Sequence, residues 1–451
     1  MPNQTNETLT RQNRIGTNTY QTPMQKGLIT ILLIGMAGLF AACGTNPPTP
    51  QGGTVVDYMP KSAKRGVSFS FTNLLDLPLL SPYISWDYNW GNTPLEDAAT
   101  WFDANEMDFC PMCWNGNYNP DAIRAFVAAH PSTKYLLAFN EPNLTDQANM
   151  VPSKAAELWP PVVALAKELN LKLVSPAMNY GTLAGYSDPV KWLDEFFAQP
   201  GVSIDDVYAI AIHCYMASAS AVKNYVERFE KYDKPIWMTE FCAWDPVPGS
   251  VNTQMDYMCA VLNYFEQNPK VERYAWFIPR SGQKVDSPPY MQLLTHDDPA
   301  QLTELGQMFC WFSPMNKNVW IRANRPIYAS EYVQVSNNAL PLRPTTDALI
   351  REQIKRDGLH ISNFAEGQEL TYQLYAPKST STIELRYCGY ANAICEVLVD
   401  GNSANFIDLP RTGGDSNWTT VSQTLALKAG CHTITLKLFS GSCSLSALIV
   451  K

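Results

Sequence analysis

Residues 135–143 read Tyr-Leu-Leu-Ala-Phe-Asn-Glu-Pro-Asn, and residues 235–242 read Pro-Ile-Trp-Met-Thr-Glu-Phe-Cys. Each is a short apolar run rich in β-formers that turns polar at its C-terminal end, where it carries a glutamate. The same design recurs at 65–71 (RGVSFSF), 84–90 (ISWDYNW), 107–114 (MDFCPMCW), 172–178 (KLVSPAM), 208–215 (YAIAIHCY) and 273–280 (RYAWFIPR). Amphipathic stretches such as 153–169 and 219–232 separate several of them, and 302–306 (LTELG) starts a closing helix. Strand and helix in alternation predict a parallel sheet. Eight such units in about 250 residues predict an α/β fold of the (β/α)8 TIM-barrel type, whose site lies at the C-terminal ends of the strands.

The rest of the chain sets the context. Of 451 residues, 46% are apolar and 17% charged, which excludes a disordered protein. A net charge of −9 argues against a nucleic-acid partner. No glycine-rich phosphate loop follows a strand and no HExxH occurs, so no cofactor or catalytic metal is expected. From about residue 328 the pattern changes to short alternating runs at 369–375, 382–387, 396–400, 422–427 and 432–439. Asp400-Gly401 and Lys428-Ala-Gly430 read as hairpin turns between them. That style predicts a second domain, a β-sandwich of jelly-roll type. A monomer is expected.

At the N-terminus, a polar stretch with Arg11, Arg14 and Lys26 precedes an apolar run at 27–42 that is short for a membrane span. It ends in Phe-Ala-Ala-Cys43-Gly, which resembles a bacterial lipobox and makes Cys43 the expected lipidation site. The chain is therefore expected to be exported and held to the cell envelope by lipid. The expected layout is a signal peptide (1–43), a linker (44–62), the barrel (63–315) and the sandwich (325–451). Ten cysteines remain besides Cys43, an even number that suits an oxidising compartment. Cys110 and Cys113 are expected as buried or disulfide-bonded thiols, since no second CxxC or nearby His completes a zinc site.

Glu141 ends the fourth run and Glu240 the seventh, on opposite sides of a barrel mouth. Two carboxyl groups about 5–5.5 Å apart can cleave a glycosidic bond with retention, one protonating the leaving oxygen and the other attacking the anomeric carbon. Glu141 is the expected acid/base, its pKa raised by the neighbouring Glu240 charge, and Glu240 the expected nucleophile. Asn140 is placed to bind a sugar hydroxyl, and His213 and Tyr215 to orient or polarise Glu240. Trp114, Trp276 and Trp90 are candidate sugar platforms, since aromatic faces pack on the C–H faces of pyranosides; Trp86 and Trp90 read equally well as core.

These segments resemble glycoside hydrolase family 128, endo-β-1,3-glucanases of the clan A barrel type with an Asl1-like core. The likeness rests on Trp86-Asp-Tyr-Asn-Trp90-Gly91, Phe109-Cys-Pro-Met-Cys-Trp114, Phe139-Asn-Glu-Pro-Asn143, Ile212-His-Cys-Tyr215, Trp237-Met-Thr-Glu-Phe241 and Tyr274-Ala-Trp-Phe277. It departs at Cys110 and Cys113, where aliphatic residues are usual, and at Asp87, where the pattern leads to an aromatic. The resemblance implies a retaining hydrolase acting on β-glucan polysaccharide or oligosaccharide, laminarin-like in linkage. Two rivals are a non-catalytic glycan-binding surface lipoprotein and a hydrolase of another β-glucan linkage. The C-terminal segment resembles a family 6 carbohydrate-binding module, through 367–372, 383–387, 397–401, 409–414, 418–421, 427–435 and 445–451. That likeness implies Tyr387 and Trp418 as sugar-binding candidates, with Asp415 where a further Trp is frequent, and a structural calcium near Glu331 or Asp400.

Overall fold

Eight strands follow the eight apolar runs in order: β1 (Arg65–Ser68), β2 (Trp86–Tyr88), β3 (Asp108–Phe109), β4 (Tyr135–Leu137), β5 (Lys172–Val174), β6 (Ile210–Met216), β7 (Ile236–Asp245) and β8 (Val271–Trp276). The computed structural model describes residues 53–336 and 340–451, so Cys43 and the signal segment lie outside the described residues. All pairings among the eight are parallel. They run β3–β2–β1–β8–β7–β6 in one sheet and β4–β5 in another. Single bridges Met112–Leu137 and Val174–Ala209 join the two, so the pairing passes through every strand and returns to β1.

Helices lie between consecutive strands, among them Pro120–Ala129, Pro152–Glu168, Pro189–Phe197 and Val251–Gln267, and Glu304–Trp311 follows the last strand. Asn119, Asp188, Ser250 and Thr303 start four of the helices by accepting a first-turn N–H on the side chain. Alternation along each strand splits the apolar residues into two cores. Trp86, Tyr88, Tyr135, Leu137, Ala211, Trp237 and Ala275 fill the inside of the ring. Val67, Leu136, Ile210, Ile212, Met238, Tyr274 and Trp276 face the helices.

The lower end of the ring is plugged by charge. The Arg273 guanidinium lies 4.4 Å from the Tyr135 ring centroid and 4.7 Å from that of Trp237, and pairs with Asp108. A desolvated cation–π contact contributes about 2 kcal/mol, and stranding either buried charge would cost about 3–5 kcal/mol. The open cavity is therefore at the other end, where the strands finish.

The C-terminal region is β-rich. One sheet orders Val319–Arg322, Glu369–Ala376, Gly430–Ser440, Ala393–Val399 and Asn402–Leu409; the other orders Leu342–Pro344, Leu359–Ala365, Ser442–Val450, Thr380–Gly389 and Gly414–Leu427. Asp400 (φ 50°) and Gly401 (φ 80°) make the expected tight hairpin turn. Lys428–Gly430 does not, because the strands on either side of it belong to different sheets. The 44–62 segment is more than a linker. Thr54–Val56 pairs in parallel with Val319–Arg322, which adds a strand from before the barrel to the edge of the C-terminal sheet.

The described residues form one compact unit. Tyr332 donates to Asn263 Oδ1 at 2.9 Å, and Arg343 pairs with Asp256 at 2.8 Å, so the β-rich part is fastened to helix Val251–Gln267. The ten described cysteines are all free thiols, nine of them buried, so the even count does not reflect disulfides here. Cys110 and Cys113 are among the buried thiols, and burial pushes Cys110 up to about 12. Among the described residues, no helix is long and apolar enough to cross a membrane.

Candidate active site

Glu141 and Glu240 reach the same space by different backbone devices. Glu141 follows β4 with φ at 44°, a left-handed conformation that costs a non-glycine residue about 1–3 kcal/mol. Its N–H is held by the Ala177 carbonyl at 3.0 Å. Glu240 depends on a register shift. Ile212 pairs with Met238 but His213 pairs with Glu240, so Thr239 is an extra residue on β7. Trp237 points inward and Met238 outward; with the extra residue, Glu240 points inward and Phe241 outward. Without the bulge, alternation would bury Glu240 among the helices.

Both carboxylates are buried and held by donors. Trp90 Nε1 donates to Glu240 Oε1 at 2.7 Å and Tyr88 donates its hydroxyl to the same oxygen at 2.8 Å. Tyr215 donates to Glu240 Oε2. Asn179 Nδ2 donates to Glu141 Oε1 at 3.0 Å. His213 lies between the two: Nδ1 is 2.9 Å from Glu141 Oε1 and 3.3 Å from Glu240 Oε2. One oxygen of each carboxylate and a ring nitrogen of His213 lie within 4.8 Å of one another, the one such cluster among the described residues. Its neighbours are N–H and O–H donors that already satisfy the carboxylate charges, an arrangement suited to proton chemistry.

The electrostatics correct one expectation. Burial pushes the Glu141 carboxyl up, but the His213 charge, its hydrogen bond and the Asn179 amide outweigh burial and hold Glu141 below the usual value. His213 is raised in turn: burial disfavours its cation, and the charges of Glu240 and Glu141 overcome that. The expected rise at Glu141 presumed two carboxylates facing each other directly, whereas an imidazole lies between them.

A cavity of about 610 Å³ opens over the pair, lined by Trp90, Trp114, Asn140, Leu144, Gln147, Asn179, Tyr215, Trp244, Asp245 and Phe277 together with both glutamates. Asn140 donates to Gln147 at 3.3 Å and leaves its Oδ1 without a protein partner. The structure thus assembles Asn140, Glu141, Tyr215, Glu240, Trp90 and Trp114 around one cavity, with His213 beneath it.

Trp276 is not among them. It is fully buried against Phe241 and Phe309 and donates to the Met291 carbonyl at 2.7 Å. It shares the outward parity of Tyr274, and the next residue, Phe277, lines the cavity instead. Asp87 also misses the cavity: it pairs with Val67, on the face opposite Trp86 and Tyr88, and burial pushes its carboxyl well up. Trp86 is core. Asn179 is legible in the sequence as the polar end of the fifth run, whereas Tyr88, Trp244 and Phe277 carry no such signal as site residues. Tyr88 was within reach only by parity, since it shares the inward face of Trp86 and Trp90.

The second-domain candidates do not converge. Tyr387 is buried and donates to the Pro410 carbonyl at 2.8 Å. It pairs with Thr419, so alternation sends Trp418 to the opposite face, edge-on to His360. Nor do the carboxylates named for calcium fit an ion. Glu331 accepts from the Tyr328 N–H at 3.1 Å and pairs with Arg356, and Asp400 accepts from the Thr433 N–H and bonds His432, both at 2.8 Å.

The model of the family described as glycosyl hydrolase catalytic core matches residues 73–309. A solved GH128 subgroup II endo-β-1,3-glucanase from Pseudomonas viridiflava is 37% identical, with a TM-score of 0.51, over 55% of this chain and 98% of that one. A second, from Sorangium cellulosum, is 36% identical over 55% of this chain and 97% of that one, with a TM-score of 0.49. Alkali-sensitive linkage protein 1 of Schizosaccharomyces pombe is 26% identical over 212 residues, 44% of this chain but 34% of that protein, so the chain spans about a third of it.

Proposed function

This chain belongs to the glycosyl hydrolase catalytic core family, and within it to glycoside hydrolase family 128; from that premise we propose that it is a retaining endo-β-1,3-glucanase. The observation that carries the proposal is the pair of buried glutamates from β4 and β7, with oxygens within 4.8 Å, under an aromatic-walled cavity. That separation suits direct attack, since inversion needs about 6.5–9.5 Å to admit a water. Glu240, held by Tyr88, Trp90 and Tyr215, attacks the anomeric carbon. Glu141 protonates the leaving oxygen and then takes a proton from the water that frees the sugar. The unpartnered Asn140 Oδ1 accepts from a hydroxyl of the reacting sugar. Trp90, Trp114, Trp244 and Phe277 present ring surface to its C–H faces. Endo action on a laminarin-like chain rests on the likeness to the Pseudomonas viridiflava enzyme.

The closed strand ring supports a (β/α)8 barrel, and the two C-terminal sheets, antiparallel except where Thr54–Val56 and Val319–Arg322 join one edge in parallel, support a jelly-roll sandwich. We read 63–315 and 325–451 as these two parts, with the sandwich borrowing Thr54–Val56. Export and lipid attachment at Cys43 complete the proposal and would place a monomeric enzyme at the cell envelope, acting on β-glucan polysaccharide or oligosaccharide.

The test is product analysis of the protein on laminarin, barley mixed-linkage glucan and cellulose. Short β-1,3-linked oligosaccharides released from laminarin are the expected result. Faster release from cellulose would reassign the linkage, and binding without release from any of the three would favour the non-catalytic glycan-binding reading.

A further inference from the structure

His213 meets the two carboxylates from inside the protein. Its side chain is fully buried, Nδ1 faces Glu141 and Glu240, and Nε2 has no hydrogen-bond partner. The groups around the cluster are Tyr88 from β2, Asn179 beyond β5, Tyr215 and Cys214 on β6, and Cys242 on β7; burial pushes each of the four hydroxyl and thiol groups up, so they stay neutral. Glu141 Oε1 and His213 Nδ1 are 2.9 Å apart, a hydrogen-bond distance across which one proton can pass.

We propose that His213 is a proton-positioning residue, which stores on Nδ1 the proton that Glu141 delivers to the leaving oxygen and takes it back in the second half of the reaction. The inference rests on the two-glutamate hydrolase reading. In the first step the proton passes from Nδ1 to Glu141 and on to the leaving oxygen as the C1–O bond breaks and the C1–Glu240 bond forms. In the second, water attacks C1 and gives a proton to Glu141, the C1–Glu240 bond breaks, and the proton returns to Nδ1. Moving the proton between Nδ1 and Oε1 leaves the net charge of the cluster unchanged. The raised His213 and lowered Glu141 accord with a resting state in which the proton sits on the ring.

The test compares His213→Gln with wild type on laminarioligosaccharide and on 2,4-dinitrophenyl β-laminaribioside, whose leaving group needs no acid. At pH 7 the kcat/KM loss on the oligosaccharide should exceed that on the aryl glycoside by about tenfold or more. The alkaline limb for the oligosaccharide should move to lower pH, and the excess loss should shrink towards pH 5. Equal losses on both substrates with an unmoved limb would overturn the proposal in favour of a structural role. If the variant does not fold, the 15N spectrum of wild-type histidines decides: two ring protons on His213 at pH 7 support the store, and a neutral ring contradicts it. Wild type inactive on both substrates would instead refute the hydrolase reading.

Discussion

Glu240→Gln should leave a folded protein that binds β-1,3-glucan and turns it over at least about 10⁴-fold more slowly, as removal of a nucleophile does in enzymes that depend on covalent catalysis. That is about 5.4 kcal/mol of lost transition-state stabilisation. The size of the effect follows from the surroundings. Trp90, Tyr88 and Tyr215 all donate to this carboxylate, and His213 lies 3.3 Å from Oε2. They hold the buried Glu240 carboxyl in one position, and no neighbouring group can replace it as a nucleophile. A glutamine has the same shape but offers an amide N–H to donors that need an acceptor, so some loss of thermal stability should accompany the loss of rate. Near-wild-type turnover, checked by reducing-sugar release with binding measured in parallel, would remove Glu240 from the chemistry.

Glu141→Gln should behave differently on different leaving groups. On laminarin it should lose about 10²–10⁴ in kcat/KM, the range that general acid catalysis supplies. On 2,4-dinitrophenyl β-laminaribioside the first step needs no proton, so the glycosyl-enzyme should form quickly and then wait for a base. Added azide, which needs no base, should speed turnover and leave a β-glycosyl azide. The variant should fold, because its amide oxygen can still accept from Asn179 and His213. Equal loss on both substrates without azide rescue would mean that Glu141 is not the acid/base.

What the sequence reveals, and what it conceals, can be traced residue by residue. The eight strands are legible because each is an apolar run ending in polar or aromatic residues, and the ring of pairings places those ends together. His213 and Tyr215 are legible as a pair, since residues two apart on a strand share a face. The same rule explains the misplacement of Trp276: parity with Tyr274 sends it outward, so Phe277 reaches the cavity. Tyr387 is the same case, inward with Leu385 and away from Trp418. Glu240 was singled out for its place at a strand end, yet its inward aim depends on a one-residue bulge that no local pattern announces. The lowered Glu141 was hidden because it comes from a histidine 72 residues away. The strand Thr54–Val56 was hidden because three residues carry no period, and its partner lies beyond the whole barrel.

The most direct test of the central account is the anomeric form of the first product. Proton NMR of laminaripentaose hydrolysis should show the β-anomer appearing first and the α-anomer only by mutarotation, as expected when Glu240 attacks and Glu141 admits water to the same face. An α-anomer appearing first would mean that water attacks directly, and the account of Glu240 as nucleophile would be wrong.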